Sequence, residues 1–413
     1  MNEPHVYVIG GGFAGVEAAR TVARRSPRAR IRLIDRNPYA TMVPALPDVV
    51  SGRVRVDAIA HSLEEAVGAG PRADGAPAAG SEAGPGVEVI TDEVERLDLV
   101  SRRIHGRETT YDYDYLVIAS GSSPAYFGFE ATDGTLHTVH SLETARRFRG
   151  AVESHLHGAP TAPIVIVGAG YTGLEVAACL TAGATEAGAR PAITVVDVAD
   201  NILGFLTDGE RRRIRSYFDS IGVEIRTATA LESYYGGTAV LSDGTHIADS
   251  LVCWAAGMRA QPLPIDGEVE RTRDGRLHTT AALQLPQHPE VFAAGDAAAL
   301  WKGDTTARRA VNFSYYSGRR AGANVAAAIG GRSLRDFRPV DLGWIIPLGE
   351  ESVGRVFGAI RVGGSMGLRM HYLMCGFRHF AGARAGEFYR TALRLSRRPD
   401  PLEPGGAPEG EDG

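Results

Sequence analysis

The chain is poor in cysteine. Of its 413 residues only Cys179, Cys253 and Cys375 are cysteines, and none falls in a C-x-x-C pair or a metal-ligand spacing. That count excludes a disulfide framework, offers no metal site and fits a reducing compartment, so a cytoplasmic location is expected. Long apolar runs are also missing. No stretch reaches the ~18 residues that a membrane-spanning helix requires, and the first apolar run reads as a short strand rather than a secretory signal. Nor is there an excess of basic charge: the formal net charge is −5, so no nucleic-acid partner is expected. What is present is a 44% hydrophobic composition, enough to bury a large core, on a length that suggests two to three domains.

The first thirty-five residues organise the rest. His5 to Ile9 reads as a buried strand. Gly10, Gly12 and Gly15 follow as G-x-G-x-x-G at the turn into a helix beginning near Phe13, and a second strand, Ile31 to Ile34, ends on Asp35. The spacing is that of a dinucleotide-binding βαβ unit. Gly10 permits the tight turn, Gly12 lets a pyrophosphate approach the backbone, and Gly15 lets helix and strand pack closely. The helix N-terminus offers unpaired N–H groups to phosphate, and Asp35 can accept hydrogen bonds from ribose hydroxyls. The pattern returns about 160 residues later. Ile164 to Val167 is a strand, Gly168, Gly170 and Gly173 repeat the turn, and a strand over Ile193 to Val196 ends on Asp197. A carboxylate at that position suits a free 2′-hydroxyl and repels a 2′-phosphate. With no arginine directly after it, NADH is favoured over NADPH.

Between the landmarks, ATMVPALPDVVSG carries Pro44 and Pro47 and is expected to be a loop over the first cofactor site. Val54 to Val67 reads as a helix, Gly68 to Gly86 as a flexible surface excursion, and VEVITDEVERLDLVSRRIHG as a β-meander. YLVIASGS and VCWAAG each run from strand into Ala-x-Gly or a small-residue turn, and VFAAGD ends a late strand on Gly295 and Asp296.

Taken together, these motifs resemble the FAD-dependent pyridine nucleotide-disulfide oxidoreductase family. Within it, LIDRNPYATMVPALPDVVSG, TGLEVA, VCWAAGMRA and FRPVDLGWIIPLG are most similar to type II NADH dehydrogenases, from about His5 to Phe380. The resemblance implies an α/β fold with two Rossmann-like dinucleotide-binding domains, the NAD domain inserted in the FAD domain, and a small C-terminal α+β region. The implied divisions are 1–118 and 260–335 for FAD, 119–259 for NAD(P)H, 336–398 for a C-terminal interface or membrane-association region, and 399–413 for a disordered tail. FAD would be held by Gly10, Gly12, Phe13, Ala14, Gly15, Asp35, Arg36, Pro44, Val94, Ala119, Gly121, Gly295 and Asp296. NADH would be held by Gly168, Gly170, Tyr171, Thr172, Gly173 and Asp197, with Gly257 close by. Glu175 is the implied catalytic side chain, in the first turn of the second glycine-turn helix. The alternative for it is a helix-dipole complement.

The resemblance weakens at the electron acceptor. Where type II dehydrogenases usually carry an A-x-x-Q-Q stretch, this chain reads RRAVNFSYYSGRR, with Asn312, Tyr316 and Ser317 in place of the glutamines. Tyr316 could flank a planar quinone, or Phe313, Tyr315 and Tyr316 could be packing residues. The redox-active cysteine pair of disulfide reductases is absent. Cys179 and Cys253 read as core, and Cys375 alone is left open as a reactive thiol. From Met366 to Arg398 seven arginines oppose one acid, with apolar residues at roughly helical spacing. Such a segment can lie on an anionic membrane surface or dock on the protein's own body or at a homodimer interface. The leading expectation is hydride transfer from NADH to FAD and on to a quinone. The alternatives are a soluble flavoprotein reductase serving a metabolite or carrier protein, and a nucleotide-sensing flavoprotein.

Overall fold

The computed structural model describes residues 3–68, 86–130 and 136–379, together with Arg390 and Leu393. Most of the Gly68 to Gly86 stretch, most of the basic segment after His379 and the tail from Pro399 lie outside the described residues.

The first sheet has five parallel strands in the order Val291–Ala293, Tyr115–Ile118, His5–Ile9, Arg30–Asp35 and Val87–Thr91. His5–Ile9 is paired on both sides, which explains its unbroken apolar run. Helix α1 (Phe13–Arg25) follows the first glycine turn. The second sheet repeats the plan with four parallel strands, Glu224–Arg226, Ala192–Val196, Pro163–Val167 and Leu251–Trp254. The last strand of the first sheet comes after all of the second, so the second unit is inserted within the first. An antiparallel pair, Ser122–Pro124 with Met258–Ala260, lies where the chain leaves the first unit and returns to it.

The Pro-containing stretch is more regular than expected. After a 3-10 turn at Val43–Ala45 it forms helix α2 (Leu46–Val50), because Pro47 falls in the first turn, where a missing N–H costs nothing. Val54 to Val67 is not one helix. It divides into a 3-10 turn (Val56–Ala58), a strand (Ala60–Ser62) and α3 (Leu63–Val67), the last capped by the Ser62 side chain. The expected meander also divides: Val87–Thr91 joins the parallel sheet, while Val94–Asp98 and Arg103–Gly106 pair antiparallel elsewhere. Helix α4 (Leu142–Leu156) opens on a Ser141–Thr144 capping box, and α5 (Tyr171–Glu186) follows the second glycine turn. Helix α6 (Asp208–Ser220) has a Thr207–Glu210 capping box.

Helix α7 (Val311–Ile329) crosses α1 closely. A Cβ at Gly318 would come 2.1 Å from the Ala14 carbonyl oxygen, and one at Gly322 would come 2.4 Å from that of Ala18. This contact sets the first turn of α7 beside the first glycine turn. The C-terminal region is a three-stranded antiparallel sheet, Gly343–Leu348, Glu351–Val356 and Ile360–Gly363, followed by α8 (Gly364–His379). One face of α8, with Leu368, Tyr372 and Cys375, joins the same buried cluster as α2, α4 and α5, so the helix docks on the protein's own body. Met366, Leu373 and Phe377 remain exposed on it.

Candidate active site

The two glycine turns are built alike. Gly10 has φ +102° and Gly168 φ +112°, a region that side chains rarely occupy. A Cβ at Gly15 would stand 1.8 Å from the Gly10 carbonyl oxygen, and one at Gly173 would stand 1.8 Å from that of Gly168. By contrast, a Cβ at Gly12 or Gly170 would meet nothing within 4 Å. The open side of each turn is therefore the side on which a pyrophosphate would approach.

The strand-end carboxylates repeat the likeness. Asp35 accepts the Gly11 N–H at 2.6 Å and the Asn37 N–H at 2.8 Å. Asp197 accepts the Ala169 N–H at 2.6 Å and the Ala199 N–H at 2.8 Å. Each carboxylate is thus fixed by backbone and keeps further lone pairs for ligand hydroxyls. Burial raises Asp35 above the usual carboxylate range, against the pull of these N–H groups.

A cavity of about 580 Å³ runs between the two units and the C-terminal region. It brings together Gly10, Gly12, Phe13, Ala14, Asp35, Pro44, Ala119, Gly121, Tyr171, Thr172, Glu175, Gly257, Gly295 and Asp296. Ser122 donates to the Asp296 carboxylate at 2.7 Å and Ser314 does so at 3.3 Å, which fixes its direction. Other residues singled out in the sequence lie elsewhere. Gly15 and Gly173 sit beneath their helices as packing positions, and Gly168, Gly170 and Asp197 form the second turn outside this cavity. Arg36 lies 3.9 Å from Glu93, and Val94 packs against the first core.

Two readings of α7 are corrected. Tyr316 does not line the cavity, because one helical turn beyond Asn312 carries it to an outer groove, where the Arg378 guanidinium lies 5.6 Å from its ring centroid. Ser317 is fully buried and structural, accepting the Gly295 N–H at 2.9 Å and donating to the Ser314 carbonyl. Only Val311, Asn312 and Ser314, all near the helix start, face the cavity.

Glu175 is the fifth residue of α5, whose first turn holds no acid, so it does not serve as a first-turn dipole complement. It is half-buried, with part of its side chain facing the cavity. Burial, and after it the negative charge of Asp48, hold its carboxyl well above the usual range. An acid whose carboxyl is raised by burial therefore faces the cavity.

Sequence reasoning missed the contribution of α8, which supplies His371, Met374, Cys375 and Arg378 to the lining. Burial lowers His371 to about 4, against a hydrogen bond with the Ile345 backbone, so the ring is neutral. Its Nε2 has no hydrogen-bond partner among the described residues. Burial pushes the Cys375 thiol up to about 12, which removes it as a reactive thiolate. Trp254, Trp344, Arg308 and Arg309 also line the cavity; they lie in the quoted stretches VCWAAGMRA, FRPVDLGWIIPLG and RRAVNFSYYSGRR, which gave these four residues no role.

Comparison with known proteins agrees with this architecture. The profile of the family described as pyridine nucleotide-disulphide oxidoreductase matches residues 4–328. An NADH dehydrogenase-like protein of Mycobacterium tuberculosis is 33% identical over 339 residues, 78% of this chain and 79% of that protein. The type II NADH:quinone oxidoreductase of Staphylococcus haemolyticus is 24% identical over 380 residues, 86% and 90% of the two chains. Among solved structures, NDH2 of Plasmodium falciparum in complex with NADH superposes with a TM-score of 0.78 at 13% identity, covering 95% of this chain and 97% of that one. The sulfide:quinone oxidoreductase of Aquifex aeolicus superposes with a TM-score of 0.73 at 18% identity, covering 95% and 92%. With its two glycine turns, inserted second unit and shared cavity, the chain belongs to the pyridine nucleotide-disulphide oxidoreductase family.

Proposed function

We propose that the protein oxidises NADH through bound FAD and passes the electrons to a quinone. The observation that carries this reading is one cavity that holds Glu175, its carboxyl raised by burial, the neutral His371, the first glycine turn and Asp296. The relatives named as type II NADH:quinone oxidoreductases support it. The domain divisions at 118, 259 and 335 belong to the same proposal.

The residues fit FAD. The open side of Gly12 and the free lone pairs of Asp35 suit a pyrophosphate and an adenosine ribose, and Asp296 suits the ribityl hydroxyls. When bound, FAD supplies hydride acceptance and onward electron transfer. The chain's own work is positioning and proton supply. Gly170 and Asp197 hold NADH from the second unit. Trp254, Trp344 and Ile345 give the cavity apolar walls that exclude water. Glu175, whose carboxyl burial raises, can hold a proton and give it to a quinone oxygen as that oxygen gains charge. His371, neutral and with Nε2 unpartnered, can accept a hydrogen bond there or donate one, according to its tautomer.

An anaerobic visible spectrum of the purified flavoprotein tests this. NADH should bleach it, and a short-chain quinone should restore the colour quickly. Bleaching without quinone reoxidation would select the soluble-acceptor reading, which the position of Tyr316 and the burial of Ser317 favour.

A further inference from the structure

Among the described residues three arginines line the active-site cavity, and two of them are paired with acids. Arg308 donates to Asp341 at 2.8 Å and to the Gly343 carbonyl at 2.6 Å, and Arg309 donates to Asp274 at 2.9 Å. Arg378 is different. Its Nη1 donates to the Met374 carbonyl at 2.7 Å, its guanidinium lies over the Tyr316 ring, and it has no ion pair among the described residues. Its Nε is buried and has no hydrogen-bond partner among them. A half-buried cation with an orphaned N–H is costly until an anion meets it.

The helix sets where this cation stands. His371, Met374, Cys375 and Arg378 fall at i, i+3, i+4 and i+7 of α8, one stripe that faces the cavity. His371 and Arg378 are thus about 10 Å apart along the axis. The His371 end is closed, with its Nε2 buried. The contact with Tyr316, a residue of the outer groove, sets the Arg378 end at the rim. Met374 and Trp344 add apolar surface to the same cavity. Glu175 does not neutralise Arg378. Both act on the Cys375 thiol, but they form no ion pair with each other, and burial raises the Glu175 carboxyl.

We propose that Arg378 receives an ionised acid group on the electron acceptor, which is therefore a quinone carrying a carboxylate, sulfonate or phosphate rather than a neutral one. The forked donors of a guanidinium suit each of these groups. With the acid group at Arg378, the ring lies along Met374 and Trp344, and a ring carbonyl points to the His371 end. This deepens the quinone reading and rests on it. The acid group takes no part in the redox step. NADH, the quinone and one proton from the medium become NAD+ and the hydroquinone, and the acid group keeps its charge throughout.

The test compares 1,4-naphthoquinone and its 2-sulfonate as acceptors for the FAD-loaded full-length protein. Arg378→Gln removes the charge, Arg378→Lys restores it, and Arg319→Gln removes an exposed arginine from the outer groove. The ratio of KM values, neutral over sulfonated, should fall about tenfold or more in Arg378→Gln, recover in Arg378→Lys and hold in Arg319→Gln. Reading each ratio against the unaltered protein cancels the different reactivity of the two quinones. Titration calorimetry with naphthalene-2-sulfonate and the uncharged naphthalene-2-sulfonamide measures binding without turnover. Only the sulfonate should depend on Arg378 and weaken with salt. An unchanged ratio in Arg378→Gln, including one in which both KM values rise together, would overturn the proposal. So would an equal fall in Arg319→Gln. If neither quinone reoxidises the flavin while the sulfonate binds through Arg378, the quinone reading fails and the anion site stands.

Discussion

The Tyr372 hydroxyl of α8 donates a hydrogen bond to the carboxylate of Asp48 on α2. Asp48 is only 1% exposed, lies 3.5 Å from the Arg53 guanidinium and receives the Cys179 thiol at 3.7 Å. This bond ties the C-terminal region to the wall behind Glu175, and with Arg53 it opposes the burial that raises the Asp48 carboxyl.

Asp48→Asn should therefore lower the pKa of Glu175. If the protonated form of Glu175 serves turnover, activity falls as pH rises through that pKa, so the descending limb of kcat should move to lower pH in the variant. Tyr372→Phe, which removes only the hydroxyl, should shift the limb the same way because Asp48 then holds its charge less well. It should also cost about 1–3 kcal/mol of stability for the lost buried bond. The pH profile separates this from a packing effect, which would lower kcat without moving the limb.

Glu175→Gln should stabilise the protein while slowing it. A carboxyl whose folded pKa lies above its unfolded value binds more protons in the folded state, so stability falls as pH rises from the unfolded value towards the folded one. Gln abolishes that dependence. The melting temperature of the variant should exceed that of the unaltered protein at pH 7.5 and match it near pH 4, by scanning calorimetry. Reoxidation by quinone should slow.

Asp197→Asn should raise KM for NADH by about tenfold or more and narrow the preference over NADPH, because the charge that repels a 2′-phosphate is gone. The Ala169 and Ala199 N–H bonds of Asp197 mean that some of the loss comes from a loosened turn. Asp197→Glu should separate the two effects, since charge returns without the geometry.

Cys375 should resist iodoacetamide in the native protein at pH 8. A buried thiol pushed up to about 12 is almost wholly protonated there. Mass spectrometry after alkylation should find it unmodified until the chain is denatured. Rapid native labelling would reopen thiol chemistry at the cavity.

The sequence by itself determined both dinucleotide units. Strand, glycine turn, helix and terminal acid are local features, and a turn that admits only glycine at Gly10 and Gly15 leaves a fixed spacing in the chain. The same locality explains the errors. Pro44 and Pro47 pointed to a loop, yet a helix forms there, because a proline in the first turn of α2 is harmless. Tyr316 looked like a pocket residue because the line of sequence does not say which turn of α7 ends at the cavity. Tertiary structure alone decided the rest. His371, Cys375 and Arg378 reach the cavity only because α8 folds back onto α2 and α5, some 200 residues upstream of it for Glu175 and more for Asp48, and no periodicity encodes that meeting. The raised pKa of Glu175 is of the same kind: the residue type fixes an acid, and burial beside Asp48 shifts it. Spacing records what the backbone must do locally, whereas charge state and cavity depend on which distant surfaces exclude water together.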